Sequence, residues 1–280
     1  MNARLQLVAA AVLFSTGGAA IKWTTLNAWQ VTGIRSLVAA AALLVFVPDA
    51  RRHWSCRSWP VAIAYAITLV LLVAANKLTT AANAIFLQAA APIYILLAAP
   101  WLLREHLRRE DVPFMVTVAA GMAAFLVGGD APVASAPNPP AGNLAAAASG
   151  VTYALTLIGL RGVARADSRA TMNTIVVGNL VSAAICVPMG WPIAGATPSD
   201  WIALGWLGVF QLGLAYACLS KGVRHVTALE ASLLLLPEPV LNPVWAWLAF
   251  GERPGRWALA GGVLIVAATV VRALKAPTRP

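Results

Sequence analysis

Between Thr227 and Glu252 the chain reads T-A-L-E-A-S-L-L-L-L-P-E-P-V-L-N-P-V-W-A-W-L-A-F-G-E. The stretch is long and apolar enough to cross a bilayer, yet it carries Glu230, Glu238, Asn242 and three prolines. Lipid tails offer a carboxylate no partner, and a charge at mid-bilayer costs at least about 2.5 kcal/mol. Such a residue belongs where it faces protein or a water-filled cavity. The stretch also has an echo earlier in the chain, between Thr80 and Glu105. At one constant offset, Thr80 maps to Thr227, Ala84 to Ala231, Leu87 to Leu234, Pro92 to Pro239 and Glu105 to Glu252. A mid-helix proline and a terminal glutamate at equal spacing mark an internal repeat.

The wider chain fits the same setting. Only 11% of its residues are charged and its mean hydropathy is +0.77, far from an ordinary soluble domain. The net charge of +10 does not point to nucleic acid, because the basic residues sit in small groups between apolar segments. Cys56, Cys186 and Cys218 show no metal-type spacing, and His53, His106 and His225 lie in basic loops without a second ligand. No metal, nucleotide or other cofactor is expected. The first residues, Met1 to Ala20, resemble a cleavable leader. The repeat instead needs them as a first helix.

Ten apolar segments are expected as helices: 5–21, 29–47, 59–75, 79–103, 112–128, 142–160, 171–189, 201–219, 227–250 and 257–274. This predicts an all-α integral membrane protein of ten transmembrane helices. Its halves are residues 1–128 and 142–280, joined by the proline-rich linker 129–141. With the N-terminus in the cytoplasm, fifteen of the twenty Lys and Arg residues fall in inner loops or at inner ends. Only Lys22, Lys77, Arg253 and Arg256 fall outside, and Arg35 lies within a segment. Five helices per half place the second half in the opposite orientation, as two inverted five-helix repeats. Inverted repeats around a midplane site are a recurrent carrier design.

The chain resembles the drug/metabolite transporter superfamily, and within it the EamA-type proteins. The resemblance rests on Phe14-Ser15-Thr16-Gly17 followed by Lys22, on Arg35, on Pro92 with Glu105, and on Glu238-Pro239 with Gly251-Glu252. It covers essentially the whole chain. One departure is Arg104-Glu105, where the family often has Gly-Glu. The resemblance implies a central cavity lined by helices 1, 3, 4, 6, 8 and 9, and no particular substrate.

Glu238 is the leading candidate, expected about eleven residues into its helix and so near mid-membrane. Glu230, Glu238, Asn242 and Trp245 share one helical stripe. The expected roles for Glu238 are proton coupling or capture of a substrate ammonium, with a buried structural carboxyl as the bland alternative. Glu230 and Arg35 join it as candidates for coupling or an ion pair. Arg35 has further readings, as an anion ligand or as a side chain snorkelling outward. Lys22 and Lys77 are expected as interfacial anchors, and Glu105 and Glu252 as helix ends. Ser15, Thr16, Asn83, Gln88, Tyr94, Tyr153 and Gln211, with Tyr65, Asn76, Thr152 and Tyr216, complete a moderately polar, partly aromatic pocket. Each of these is also able to bond helix to helix.

The expected function is a secondary carrier of the inner membrane with both termini cytoplasmic. It would export or exchange small organic metabolites such as amino acids or drugs by alternating access, either by proton antiport through Glu238 or by facilitated diffusion. Its partners are the lipid bilayer and a small-molecule substrate, and no residue marks an oligomer interface. Two alternatives stand beside it. One is a non-transporting membrane subunit or sensor. The other is a membrane-embedded enzyme, for which no nucleophile or paired acid–base set is visible.

Overall fold

The computed structural model describes residues 2–51, 58–102, 109, 111–127, 132–167, 170–222, 234–235 and 237–275. Apart from one antiparallel bridge between Val133 and Ala136, the regular structure among them is helical. The first half holds α1 (Ala3–Ser15), α2 (Gly17–Trp23), α3 (Ala28–Phe46), α4 (Trp59–Leu78), α5 (Ala81–Gln88), α6 (Ala91–Leu102) and α7 (Asp111–Val127). The second half holds α8 (Pro139–Ala166), α9 (Ala170–Met189), α10 (Pro198–Gly205), a π-helical run (Trp206–Leu214), α11 (Ala215–Gly222), α12 (Pro237–Phe250) and α13 (Arg256–Lys275). Seven helical runs among the described residues are long and apolar enough to cross a membrane. They are Ala3–Trp23, Ala28–Phe46, Trp59–Leu78, Ala81–Ala98, Pro139–Ala164, Ala170–Met189 and Pro198–Gly222.

Local chemistry explains where these helices start and break. Asn27 and Gln30 form a reciprocal capping box at α3, as do Thr197 and Asp200 at α10. Pro139 and Pro140 occupy the first turn of α8, where a missing N–H costs nothing. The helix therefore begins three residues earlier than the sequence suggested, inside the expected linker.

The first expected helix is interrupted at Thr16. Ser15 and Thr16 turn their hydroxyls back onto Val12 O (2.7 Å) and Leu13 O (2.8 Å), competing with the backbone ladder just before Gly17-Gly18. The fourth expected helix breaks after Gln88. Pro92 has no N–H to give the Gln88 carbonyl, and its ring would clash with that carbonyl in a continuous helix. The eighth widens into the π-helical run, a feature found most often at functional sites.

The helices pack in a definite pattern. α4 lies along α8, α3 along α9, and α7 along α13, while α1 contacts α11 and α12, and α5 contacts α8 and α12. One core cluster holds Phe86, Phe114, Phe125 and Ile265, and another holds Leu43, Tyr65, Met172 and Leu212. The outside is apolar as well: Phe46, Trp101, Leu144 and Ile202 are each more than 70% exposed. Such a surface is at odds with water and suits lipid.

Glycines set the closest approaches. A Cβ on Gly33 of α3 would meet the Val187 backbone N of α9 at 2.8 Å, so the two backbones touch there. Replacing Gly33 by Val overpacks this seam and should cost about 1–3 kcal/mol. Gly162, with open space around it, should accept Ala without loss. Tryptophan-fluorescence melts in detergent check both, and a Gly33→Val protein melting with wild type would contradict this packing.

Candidate functional site

The break in the first span gathers side chains from several helices. Trp245 Nε1 of α12 donates to Ser15 Oγ at 2.9 Å, and Trp206 Nε1 of the π-helical run donates to Thr16 Oγ1 at 3.0 Å. The two indoles therefore tie this point of the first span to the π-helical run and to α12. Around Gly17 and Gly18 three amide side chains close in. A Cβ on Gly17 would sit 2.9 Å from Gln211 Nε2, and one on Gly18 would sit 3.1 Å from Asn76 Oδ1 and clash with Asn242 Oδ1. The oxygens of Asn76, Gln211 and Asn242 are buried and accept no hydrogen bond among the described residues. Beside the kink opens a cavity of about 690 Å3, lined mainly by apolar groups and including Thr16, Trp23, Trp206 and Trp245. Ser15, Thr16, Gln211, Asn242 and Trp245, five of the expected site residues, thus meet at one place.

Glu238 lies one turn before Asn242 on α12. The described part of this helix runs from Pro237, residues 234–235 are helical as well, and Glu238 lies near that described start. Twelve residues separate Glu238 from Phe250, about 18 Å along the axis. The carboxylate is half-buried, with no ion pair or hydrogen bond among the described residues. The hydroxyls of Tyr153 on α8 and Tyr216 on α11 lie within its electrostatic reach. Tyr216 continues inward as an aromatic column: Phe14 packs edge-on against it at 5.0 Å and Tyr65 at 5.5 Å. Asn179 Nδ2 donates to Tyr65 Oη at 3.2 Å. Glu230 lies outside the described residues.

Arg35 lies beside Tyr65 and Tyr216. It is 0% exposed and donates one hydrogen bond, from Nη2 to Leu69 O at 3.4 Å. Its Nε and Nη1 have no acceptor among the described residues, and Tyr65, Tyr216 and Cys186 surround it. The snorkelling reading therefore fails, since the side chain points into protein. Among the described residues Arg35 makes no ion pair, with Glu238 or with any other carboxylate.

Asn83, Gln88 and Tyr94 stand apart from this network. Asn83 Nδ2 donates to Thr79 Oγ1 (3.2 Å) and Asn143 Oδ1 (3.1 Å), and Gln88 Nε2 donates to Ser149 Oγ (2.7 Å). Tyr94 Oη reaches Met122 Sδ at 3.8 Å. These bonds join α5 and α6 to their neighbours, the helix-to-helix role open to each of them.

The sequence reading missed a buried ion pair. Lys22 Nζ lies 3.0 Å from Glu252 Oε2, with both side chains only 4% exposed. Lys22 also donates to Thr79 O (2.8 Å) and Ser135 O (2.5 Å), while Glu252 Oε1 accepts from Ala81 N at the start of α5. Lys77 donates to Thr24 O at 2.6 Å and Thr24 Oγ1 at 2.9 Å. Neither lysine is a headgroup anchor: both turn inward to carbonyls. Glu252 does cap a helix, but it is α5 of the other half. A cation and a terminal Gly-Glu were both visible in the sequence, without any sign that they touch.

Comparison with known proteins places these features in context. The EamA-like transporter family matches residues 2–127 and again 140–273. The pseudopaline exporter CntI of Pseudomonas aeruginosa is 32% identical over 92 residues, 32% of each chain. The aromatic amino acid exporter YddG of Ancylobacter novellus is 26% identical over 187 residues, 65% of this chain and 64% of that one. The matches thus span about a third and under two thirds of these relatives. One solved crystal structure superposes with a TM-score of 0.67 at 23% identity, covering 98% of this chain and 99% of the other, and so shares the fold. Matched across nearly its whole length by one family, and built of apolar helices that suit a bilayer, the chain belongs to the EamA-like transporter family.

Proposed function

We propose that this protein is a secondary exporter of small organic metabolites, built from ten membrane spans in two inverted repeats and working by alternating access. Several observations support the reading. The family matches the chain twice, once on each side of the linker. The packing also obeys an exchange of the two halves. Under that exchange α4 against α8 corresponds to α11 against α1, and α4 against α9 to the π-helical run against α3. The pairs α3 with α9 and α7 with α13 map onto themselves. A carrier with such symmetry reaches its second state when the halves swap conformations. The basic inner loops favour an inner-membrane location with both termini cytoplasmic.

The observation that carries the mechanism is Glu238. A half-buried carboxylate with no partner among the described residues, inside an apolar bundle, is a group that takes its partner from outside. That partner is a proton in one half of the cycle and a cationic group of the substrate in the other. Tyr153 and Tyr216 supply hydroxyls beside it, and Trp245 and Asn242 extend the surface toward the broken first span. Aromatic amino acids, the substrate class in the name of one relative, are the first compounds to try.

Counterflow in proteoliposomes with aromatic amino acids, nucleosides and cationic drugs tests this. A pH gradient should drive uphill accumulation of one class in wild type and none in Glu238→Gln. Equal gradient-driven accumulation in both proteins would remove Glu238 from coupling. Arg35 gives a second prediction. Burying a charge without a paired carboxylate carries a desolvation penalty that an apolar side chain avoids, and Arg35 has no such carboxylate among the described residues. Arg35→Met should therefore melt at or above the wild-type temperature while losing most transport. A lower melting point with transport intact would make Arg35 structural.

A further inference from the structure

We infer that Lys22 and Glu252 form the outer gate of the transport path, held shut in this conformation. This rests on the alternating-access reading and deepens it by naming the residues that close one side. The pair joins the end of α2 in the first half to the end of α12 in the second, across the boundary that must open. Glu252 ties in α5 through the Ala81 N–H, and Lys22 ties in the linker through Ser135 O. Asp200, at the start of α10, holds the loop after α2 by accepting from Thr25 N (2.7 Å) and Thr25 Oγ1 (2.9 Å). A single ion pair, 4% exposed on both sides, thus sits at the junction of elements from both halves.

The layer beneath the pair is also shut, but under tension. One turn below Lys22, Gly18 lets Asn242 and Asn76 press against the first span, and the Ala81 methyl would lie 3.0 Å from a Cβ there. No path passes between such contacts. The closed layer leaves the oxygens of Asn76 and Asn242 without donors among the described residues, a desolvation penalty that water would relieve on opening. The gate is therefore a balance. The buried ion pair favours the closed form and the unmet amide oxygens favour the open one. Loss of either charge leaves the other unpaired in the closed form alone, so opening becomes easier.

The test uses Ala81→Cys as a reporter below the pair, in a background with Cys56, Cys186 and Cys218 changed to Ser. A membrane-impermeant maleimide is added to intact cells, and separately to inverted vesicles. Labelling from the cell exterior should be slow with Lys22 and Glu252 present. It should rise at least about tenfold in Glu252→Gln, which keeps an acceptor for the Ala81 N–H but removes the charge. The swapped pair Lys22→Glu with Glu252→Lys should bring it back down. Folding of each variant is checked by gel filtration and by its melting curve. Unchanged labelling in a folded Glu252→Gln protein that still exchanges substrate overturns the gate and leaves the carrier reading in place. Faster labelling with no exchange of any compound in either protein supports the gate and overturns the transport reading.

Discussion

A charge inside an apolar bundle has to find its counterpart within the protein, because lipid supplies none. This chain meets that demand in two ways. Lys22 with Glu252, and Arg272 with Asp111, are joined as ion pairs between distant segments. Arg35 and Glu238 are not joined to each other. Tyr216 lies within electrostatic reach of both, and Tyr65 packs edge-on against it. The paired charges fix helices against one another.

The broken helices follow the same logic. A continuous span satisfies its own backbone and offers little to a ligand. Thr16, Pro92 and the π-helical run from Trp206 each interrupt that pattern near the centre. The amide side chains of Asn76, Gln211 and Asn242 collect at the first of these breaks, where Gly17 and Gly18 leave room for them. Polar groups and irregular backbone thus occur together at the first of these breaks.

Much of this was legible in the sequence, for a physical reason. Apolar runs long enough to span a bilayer announce themselves, and a glutamate between two prolines inside such a run stands out against its setting. The repeated proline and glutamate spacing gave the two halves. Other features were hidden because they depend on contacts between remote segments. Lys22 looked like a headgroup anchor because it follows an apolar run, and only its 3.0 Å approach to Glu252 shows otherwise. Asn83 and Gln88 looked like cavity residues, yet Asn143 and Ser149 on α8 take up their hydrogen bonds. Polarity within a span is read from sequence, whereas the face it points to is decided by the neighbouring helix.

The central claim is reciprocal opening of the two ends. Pulsed electron–electron resonance measures it, with one pair of spin labels at Ser135 and Ser199 and another at Arg51 and Lys221. In proteoliposomes with transported substrate, the account predicts that the first distance lengthens as the second shortens. Two fixed distances, or two that change in the same sense, would contradict alternating access for this chain.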